Sequence, residues 1–221
     1  MGERRSLLQA LMPREPAYMT PREAFARLPR LETPRLLLRP MTMHDAQDIY
    51  DYSRDPEVAR YVLWSAHRSL GESRAYLRYV IRQYRDGMPS SWGIVLKSTG
   101  RLVGTIGYMA YSEENSTVEI GYSLARPLWN QGLMTEALWA VLAFSFERMQ
   151  IHRVEAQHDA ANPASGQVMR KCGMRHEGLL RGRVYNKGRY VDVELYALVR
   201  EDWMRDHAMG HTSIKRPDWD A

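Results

Sequence analysis

Two short stretches of this 221-residue chain have residue types and spacings that could do chemistry. In PLWNQGLMTEAL, Pro127 to Leu138, a glycine stands at 132 just where an apolar helix begins. Glycine inside a helix costs about 1 kcal/mol relative to alanine, so its use points to unusual backbone angles or a close approach to the main chain. A helix N-terminus offers unpaired backbone N–H groups and the positive end of a dipole, which together attract anions. Gly132 would let a phosphate reach those groups with no Cβ in the way. No lysine follows in the Walker pattern, which argues against a nucleoside-triphosphate P-loop. The alternative is that Gly132 relieves crowding where helix meets sheet, and spacing alone leaves both readings open.

The second stretch is DAANPASGQVMRKCGM, Asp159 to Met174. Asn162 suits a helix cap, Pro163 the first helical position and Gly173 the helix end. Asn162 and Ser165 lie about one turn apart, so both would face whatever lies beside the strand at 152–158. His152, His158 and His176 lack ligand-like spacing, and no metal site is expected. The single cysteine, Cys172, has no neighbour that would lower its pKa, so it reads as a buried helix-end residue rather than a nucleophile.

The elements that must position these residues follow from periodicity. Residues 35–40 (RLLLRP) read as a strand ended by proline, and 43–55 as a helix. Ser69 and Glu72 form a capping box for a helix whose Leu77, Val80, Ile81 and Tyr84 share a face, with Gly87 as its stop. Strand patterns at 91–97, 101–112 and 115–125 are joined by Ser98-Thr99-Gly100 and Glu113-Glu114-Asn115, which predicts an antiparallel meander. A mostly apolar helix runs from about 131 to 149. After it come a strand at 152–158, a helix at 163–172 and strands near 175–185 and 190–199. Residues 1–31 read as an N-terminal extension, with MGERRSLLQALM as a short helix, 32–204 as one domain, and 205–221 as a polar tail. The order is that of a mixed α/β (α+β) sheet protein without internal duplication.

Composition narrows the function classes. The chain is 44% hydrophobic and 26% charged, and 31 Lys+Arg against 26 Asp+Glu gives a net charge of +5. A modest positive field suits phosphate-rich ligands or acidic partners, but no basic stripe interleaved with aromatics marks a nucleic-acid surface. A lone cysteine fits a reducing compartment, and no secretory signal or membrane span is visible. The expectation is a cytoplasmic protein without a membrane partner.

Four segments in order, ETPRLLLRP, VEIGYSLARPLWNQGLMTEAL, RVEAQHDAANPASGQVMRKCGM and EGLLRGRVYNKGRYVDVELYAL, resemble the GNAT acetyltransferase superfamily. Within it, they are most similar to the RimJ/RimL-type branch of ribosomal-protein N-terminal acetyltransferases. The resemblance spans about 32–200. It implies a strongly twisted, mostly antiparallel sheet of six to seven strands flanked by helices, with a V-shaped splay between strands 115–125 and 152–158. The acetyl-pantetheine arm of acetyl-CoA would lie in that V. The family's pyrophosphate pattern, Q/R-x-x-G-x-G/A, falls on Trp129 to Met134, where only Gly132 matches strictly. The residues expected to hold acetyl-CoA are Leu124, Trp129, Asn130, Gln131, Gly132, Leu133, Met134, Thr135, Asn162, Ser165 and Lys171, with no metal.

The implied reaction is direct attack of a neutral amine on the thioester, which requires a base, oxyanion donors and stabilisation of the leaving thiolate. Glu119 resembles the glutamate some members use as base, directly or through water, although it would equally serve as an outward strand carboxylate. The helix tyrosine that protonates the thiolate in many relatives is replaced by Met169. Ser165 resembles the serine that RimL-type members place near the sulfur. The RimL-type strand glutamate falls on Val184. Asp192 and Tyr196 match the branch's C-terminal signature and could bind the acceptor amine; Asp192, like Arg181, could instead tie the last strands together. The favoured acceptor is a protein or peptide N-terminus, such as that of a ribosomal protein. The alternatives are a small amine (polyamine, aminoglycoside or amino acid derivative) and a non-catalytic acyl-CoA-binding or ribosome-associated module. The protein is expected to be a monomer or homodimer.

Overall fold

The computed structural model describes residues 18–208. The short helix expected within residues 1–12 lies outside them, as does most of the tail expected at 205–221, although its first residues, 205–208, are helical. The elements are α1 (Pro21–Ala26), β1 (Leu31–Glu32), β2 (Leu36–Pro40), α2 (Ala46–Ser53), α3 (Pro56–Ala59), α4 (Leu70–Asp86), β3 (Ser91–Leu96), β4 (Arg101–Ser112), β5 (Thr117–Leu124), α5 (Leu133–Ala143), β6 (Arg153–Asp159), α6 (Pro163–Lys171), β7 (Arg175–Asn186), β8 (Arg189–Val199) and α7 (Arg200–Ala208). Among the described residues, eight strands form one sheet in the order β1-β2-β3-β4-β5-β6-β8-β7. The count exceeds the expected six to seven because Leu31 and Glu32 pair with Leu38 and Leu37 as a short edge strand.

Alternation along the strands divides the core into two layers. Ile94 faces a cluster with Leu36, Ile106, Val118, Ile120 and Val154 beneath α5 and α6. Its neighbour Val95 faces Met41, Ile49, Leu77, Val80 and Leu102 beneath α2 and α4. Helix α5 is buried nearly all round, as its apolar sequence requires. On the outside it is covered by Trp203 of α7, whose ring lies 5.6 Å from Trp139 and stacks on Phe146 at 5.5 Å. Phe25 and Leu28 also enter this core, so the part of the 1–31 segment after Thr20 packs as part of the fold. The apolar helix expected through 149 widens at Phe144–Arg148 into a π-turn. There Ser145 donates back to the Val141 carbonyl at 2.7 Å and pairs with the buried Tyr108 hydroxyl, a side-chain competition that loosens the α ladder.

Helix α4 starts at Ser69, but the capping box is incomplete. Ser69 Oγ accepts from the Glu72 N–H, whereas the Glu72 carboxylate accepts from Arg68 N at 2.9 Å rather than from the cap residue. Gly87 ends this helix in the left-handed region, at φ +63, as glycine allows.

The feature that positions the site is the β5–α5–β6 crossover, the one parallel pairing among the described residues. Parallel strands need such a crossover. Pairing covers only Thr117–Glu119 against Arg153–Glu155, and beyond those residues the two strands separate. The V expected from the resemblance opens there, between β5 and β6.

Candidate active site

A cleft of about 730 Å³ runs through the splay, within the range of ordinary ligand sites. One wall is the loop from β5 into α5. Asn130 and Gly132 both have positive φ, +60 and +75, which turns the backbone so that α5 begins at Leu133 with its first N–H groups facing the cleft. A Cβ added at 132 would meet only Arg35 Nη2, at 3.6 Å. Crowding therefore does not account for this glycine; the left-handed backbone does. The open space at a helix N-terminus with a guanidinium beside it fits the pyrophosphate of acetyl-CoA.

That loop is held from behind by a partly buried network. Glu136 accepts from Thr33 Oγ1 at 2.6 Å, from Arg35 N at 2.8 Å and from Arg35 Nε at 2.7 Å, while Arg35 Nη1 donates to the Gln131 carbonyl at 2.9 Å. The ETPR and MTEA segments, a hundred residues apart, thus form one device. Sequence reading singled out both stretches but assigned Thr33, Arg35 and Glu136 no role.

The opposite wall is the N-terminal part of α6. Asn162 occupies the cap position but makes no side-chain cap hydrogen bond. Of its two readings, the side-chain cap is not made, and the residue lines the cleft. Ser165 lies one turn on, with Oγ 2.9 Å from the Tyr122 hydroxyl. Tyr122 of β5 was not singled out from sequence; the signal available was its place in the strand's inward alternation with Val118 and Ile120. Burial pushes its phenol well above the ordinary value, partly countered by the bond to Ser165. Met169, at the family's tyrosine position, is a core residue and does not reach the cleft.

The residues expected to hold acetyl-CoA line this cleft together, Gln131 excepted. Its side chain donates to the Pro127 carbonyl at 2.9 Å, so it shapes the loop from outside. Trp129 Nε1 likewise donates to Leu124 O at 2.7 Å. Glu119 lies at the closed end of the V, on the face opposite Val118 and Ile120, where it accepts from Gln157 Nε2 at 2.8 Å. It is not among the residues lining the cleft.

Asp192 and Tyr196 lie elsewhere. Asp192 accepts from Gly182 N at 2.7 Å, at the irregularity between Leu180 and Val184 where β7 slips against β8; the strand-tying alternative describes its contact. Tyr196 lines a second cavity with His158, Arg170, His176 and Glu194, because β8 alternation turns it toward α6. His158 Nδ1 lies 2.8 Å from the Asp159 carbonyl, and a Cβ on Gly166 would come within 2.6 Å of its Nε2, so only glycine lets α6 approach β6 here. Cys172 donates to the Thr135 carbonyl at 3.3 Å, and burial pushes its thiol up to about 12, which leaves it unreactive as a nucleophile. Among the described residues no group of three or more His, Cys, Asp or Glu is placed to hold a metal ion.

The cleft is also lined by Glu57, Val58, Arg60, Tyr61 and Val62. The turn between β7 and β8 grips this segment. The Lys187 ammonium donates to the carbonyls of Ala59 and, at 2.9 Å, Val62, and Asn186 Nδ2 donates to Val62 O at 3.3 Å.

Comparison with known proteins agrees with this geometry. The family model of the acetyltransferase (GNAT) domain matches residues 35–175. The chain is 31% identical over 172 residues to an uncharacterized N-acetyltransferase, YoaA, of Bacillus subtilis (strain 168), covering 78% of this chain and 97% of the relative. It is 26% identical to the [ribosomal protein uS5]-alanine N-acetyltransferase of Escherichia coli (strain K12), covering 79% and 92%. Among solved structures, a GNAT-family acetyltransferase from Bacillus anthracis superposes with a TM-score of 0.70 at 27% identity, covering 78% of this chain and 99% of that one.

Proposed function

The chain belongs to the GNAT family of acetyltransferases, and from that premise we propose that its acceptor is the N-terminal amine of a protein or peptide, of the kind a ribosomal protein presents. The acetyl-CoA-dependent chemistry is that of the family. The observation that favours this acceptor over a polycation is the charge of the cleft where residues 57–62 line it. Its one carboxylate, Glu57, is exposed and lies 3.3 Å from Arg60, so there is no acidic channel to draw in a polyamine. The relative that acetylates the alanine of ribosomal protein uS5 supports the same class.

Acetyl-CoA supplies a thioester carbonyl open to attack by a neutral amine. On this reading, the first N–H groups of α5 and the left-handed Gly132 hold its pyrophosphate, and Lys171 at the end of α6 adds a cation to the cleft lining. Asn162, free of capping duty, orients the pantetheine arm, and the Ser165 hydroxyl stabilises charge on the leaving sulfur. Glu119 faces the side of the sheet that carries residues 57–62. From outside the cleft wall it takes the amine's proton through water rather than by direct contact.

The test is thiol release from acetyl-CoA with peptides of varied N-terminus, against spermidine and simple amines. Turnover with peptides and none with spermidine is expected. Release with small amines alone would overturn the peptide assignment, and CoA binding without turnover would mark a non-catalytic acyl-CoA-binding module.

A further inference from the structure

Tyr122 crosses from one arm of the V to the helix that follows the other. Its hydroxyl lies 2.9 Å from Ser165 Oγ and 3.1 Å from the Ser165 carbonyl oxygen, and both side chains line the cleft. The carbonyl can only accept, and each hydroxyl has a single proton. Two arrangements satisfy these distances. If the tyrosine proton goes to the carbonyl, Ser165 donates into the phenol oxygen and its proton is turned away from the cleft. If the tyrosine proton goes to Ser165 Oγ, the serine O–H is left to point into the cleft.

We infer that Tyr122 is a positioning residue that, by donating to Ser165 Oγ, aims the serine hydroxyl at the departing sulfur. The inference rests on the acetyl-transfer reading of the cleft and adds to it a residue from the opposite wall. A negative charge forming in the cleft selects the second arrangement, because a hydrogen bond to an anion is about twice as strong as one between neutral groups. As the carbon–sulfur bond breaks, its electron pair remains on sulfur, where Ser165 O–H donates to it. The proton lost by the acceptor nitrogen passes through water to Glu119 and on to solvent, and solvent protonates the thiolate. Tyr122 keeps its own proton throughout, as its raised pKa requires. Met169 has no hydroxyl to offer from α6, and Tyr122 supplies one to the same helix from β5.

The experiment titrates the thiol of bound CoA by the ultraviolet absorbance of the thiolate, with desulfo-CoA as the blank. A hydroxyl donating to the thiolate lowers the thiol's pKa in the wild type relative to free CoA. Tyr122→Phe and Ser165→Ala should each raise it by about one pH unit, and the double variant should raise it no further, since the two act as one donor. Affinity for CoA at low pH should stay within about twofold of wild type in all three. Thiol release from acetyl-CoA should fall about tenfold in each single variant. If Tyr122→Phe fails to fold, a ring-fluorinated tyrosine at 122, a stronger donor of nearly the same shape, should lower the thiol pKa below wild type.

A wild-type value in Tyr122→Phe or in the fluorinated protein, or additive shifts in the double variant, would overturn the role of Tyr122 and leave the acetyl-transfer reading standing. A wild-type protein that binds no CoA would overturn that reading, and this inference with it.

Discussion

Gly132 shows how much a single residue's backbone decides. With a φ of +75 and open space where a Cβ would be, its substitution is limited by conformation rather than by collision. A β-branched residue in the left-handed region costs roughly 1–3 kcal/mol, and relief of that strain would swing the amides of Leu133 and Met134 away from the cleft. Gly132→Val should therefore weaken CoA binding by at least about tenfold while affecting acetyl-pantetheine, which lacks the pyrophosphate, far less. Calorimetric titration with both ligands checks this, and equal losses would point to general misfolding instead. The sequence made this glycine conspicuous but left two explanations for it. Only the backbone angle and the empty Cβ direction separated them. Tyr122 was hidden for a different reason: as one tyrosine of thirteen, it is distinguished by a partner forty-three residues away, which no local pattern carries.

At the scale of elements, the packing of β2 against α2 depends on one buried ion pair. Asp45 accepts from Arg39 Nη1 at 3.0 Å and Nη2 at 2.6 Å, and from Thr42 N at 2.7 Å. Burial alone would raise this carboxyl, but the bonds from Arg39 and Thr42 outweigh it and hold the pKa below the usual carboxylate range. A folded-state pKa below the unfolded one stabilises the protein fully above the unfolded value. That contribution fades as pH falls from about 4 through the lower folded value. Asp45→Asn should lower neutral-pH stability by about 2 kcal/mol and flatten the acid limb of the melting temperature against pH. An unchanged acid limb would show that other carboxylates set it. Element types and order were legible because helix and strand periodicities differ. The incomplete capping box at Ser69 and the π-turn at Phe144–Arg148 were not, since each depends on which of several reachable partners a side chain meets.

Across the whole molecule, the cleft joins segments from both ends of the domain: the α5 N-terminus, the α6 wall, and residues 57–62 held by the β7–β8 turn. Lys187 is the clasp, and burial lowers the pKa of its ammonium among the carbonyls it binds. Lys187→Met should raise the KM for the acceptor peptide by about tenfold with the Kd for CoA unchanged, because Lys187 bonds the carbonyls of Ala59 and Val62 and nothing in the Gly132 loop. Loss of CoA affinity in that variant would show instead that the hairpin supports the whole V. Four ordered segments identified the family, the donor and the splayed strands, because the backbone geometry that binds a pyrophosphate demands particular residues at fixed local spacing. Tertiary structure decided what depends on contacts between distant segments. It placed Arg35 and Glu136 behind the loop, Tyr122 on Ser165, Glu119 outside the cleft wall, and Asp192 and Tyr196 away from it. The physical reason is one of range: hydrogen-bond ladders and chain turns leave a local signature in sequence. A side chain's partner across the core is set by strand register and helix packing, which the chain settles only on folding.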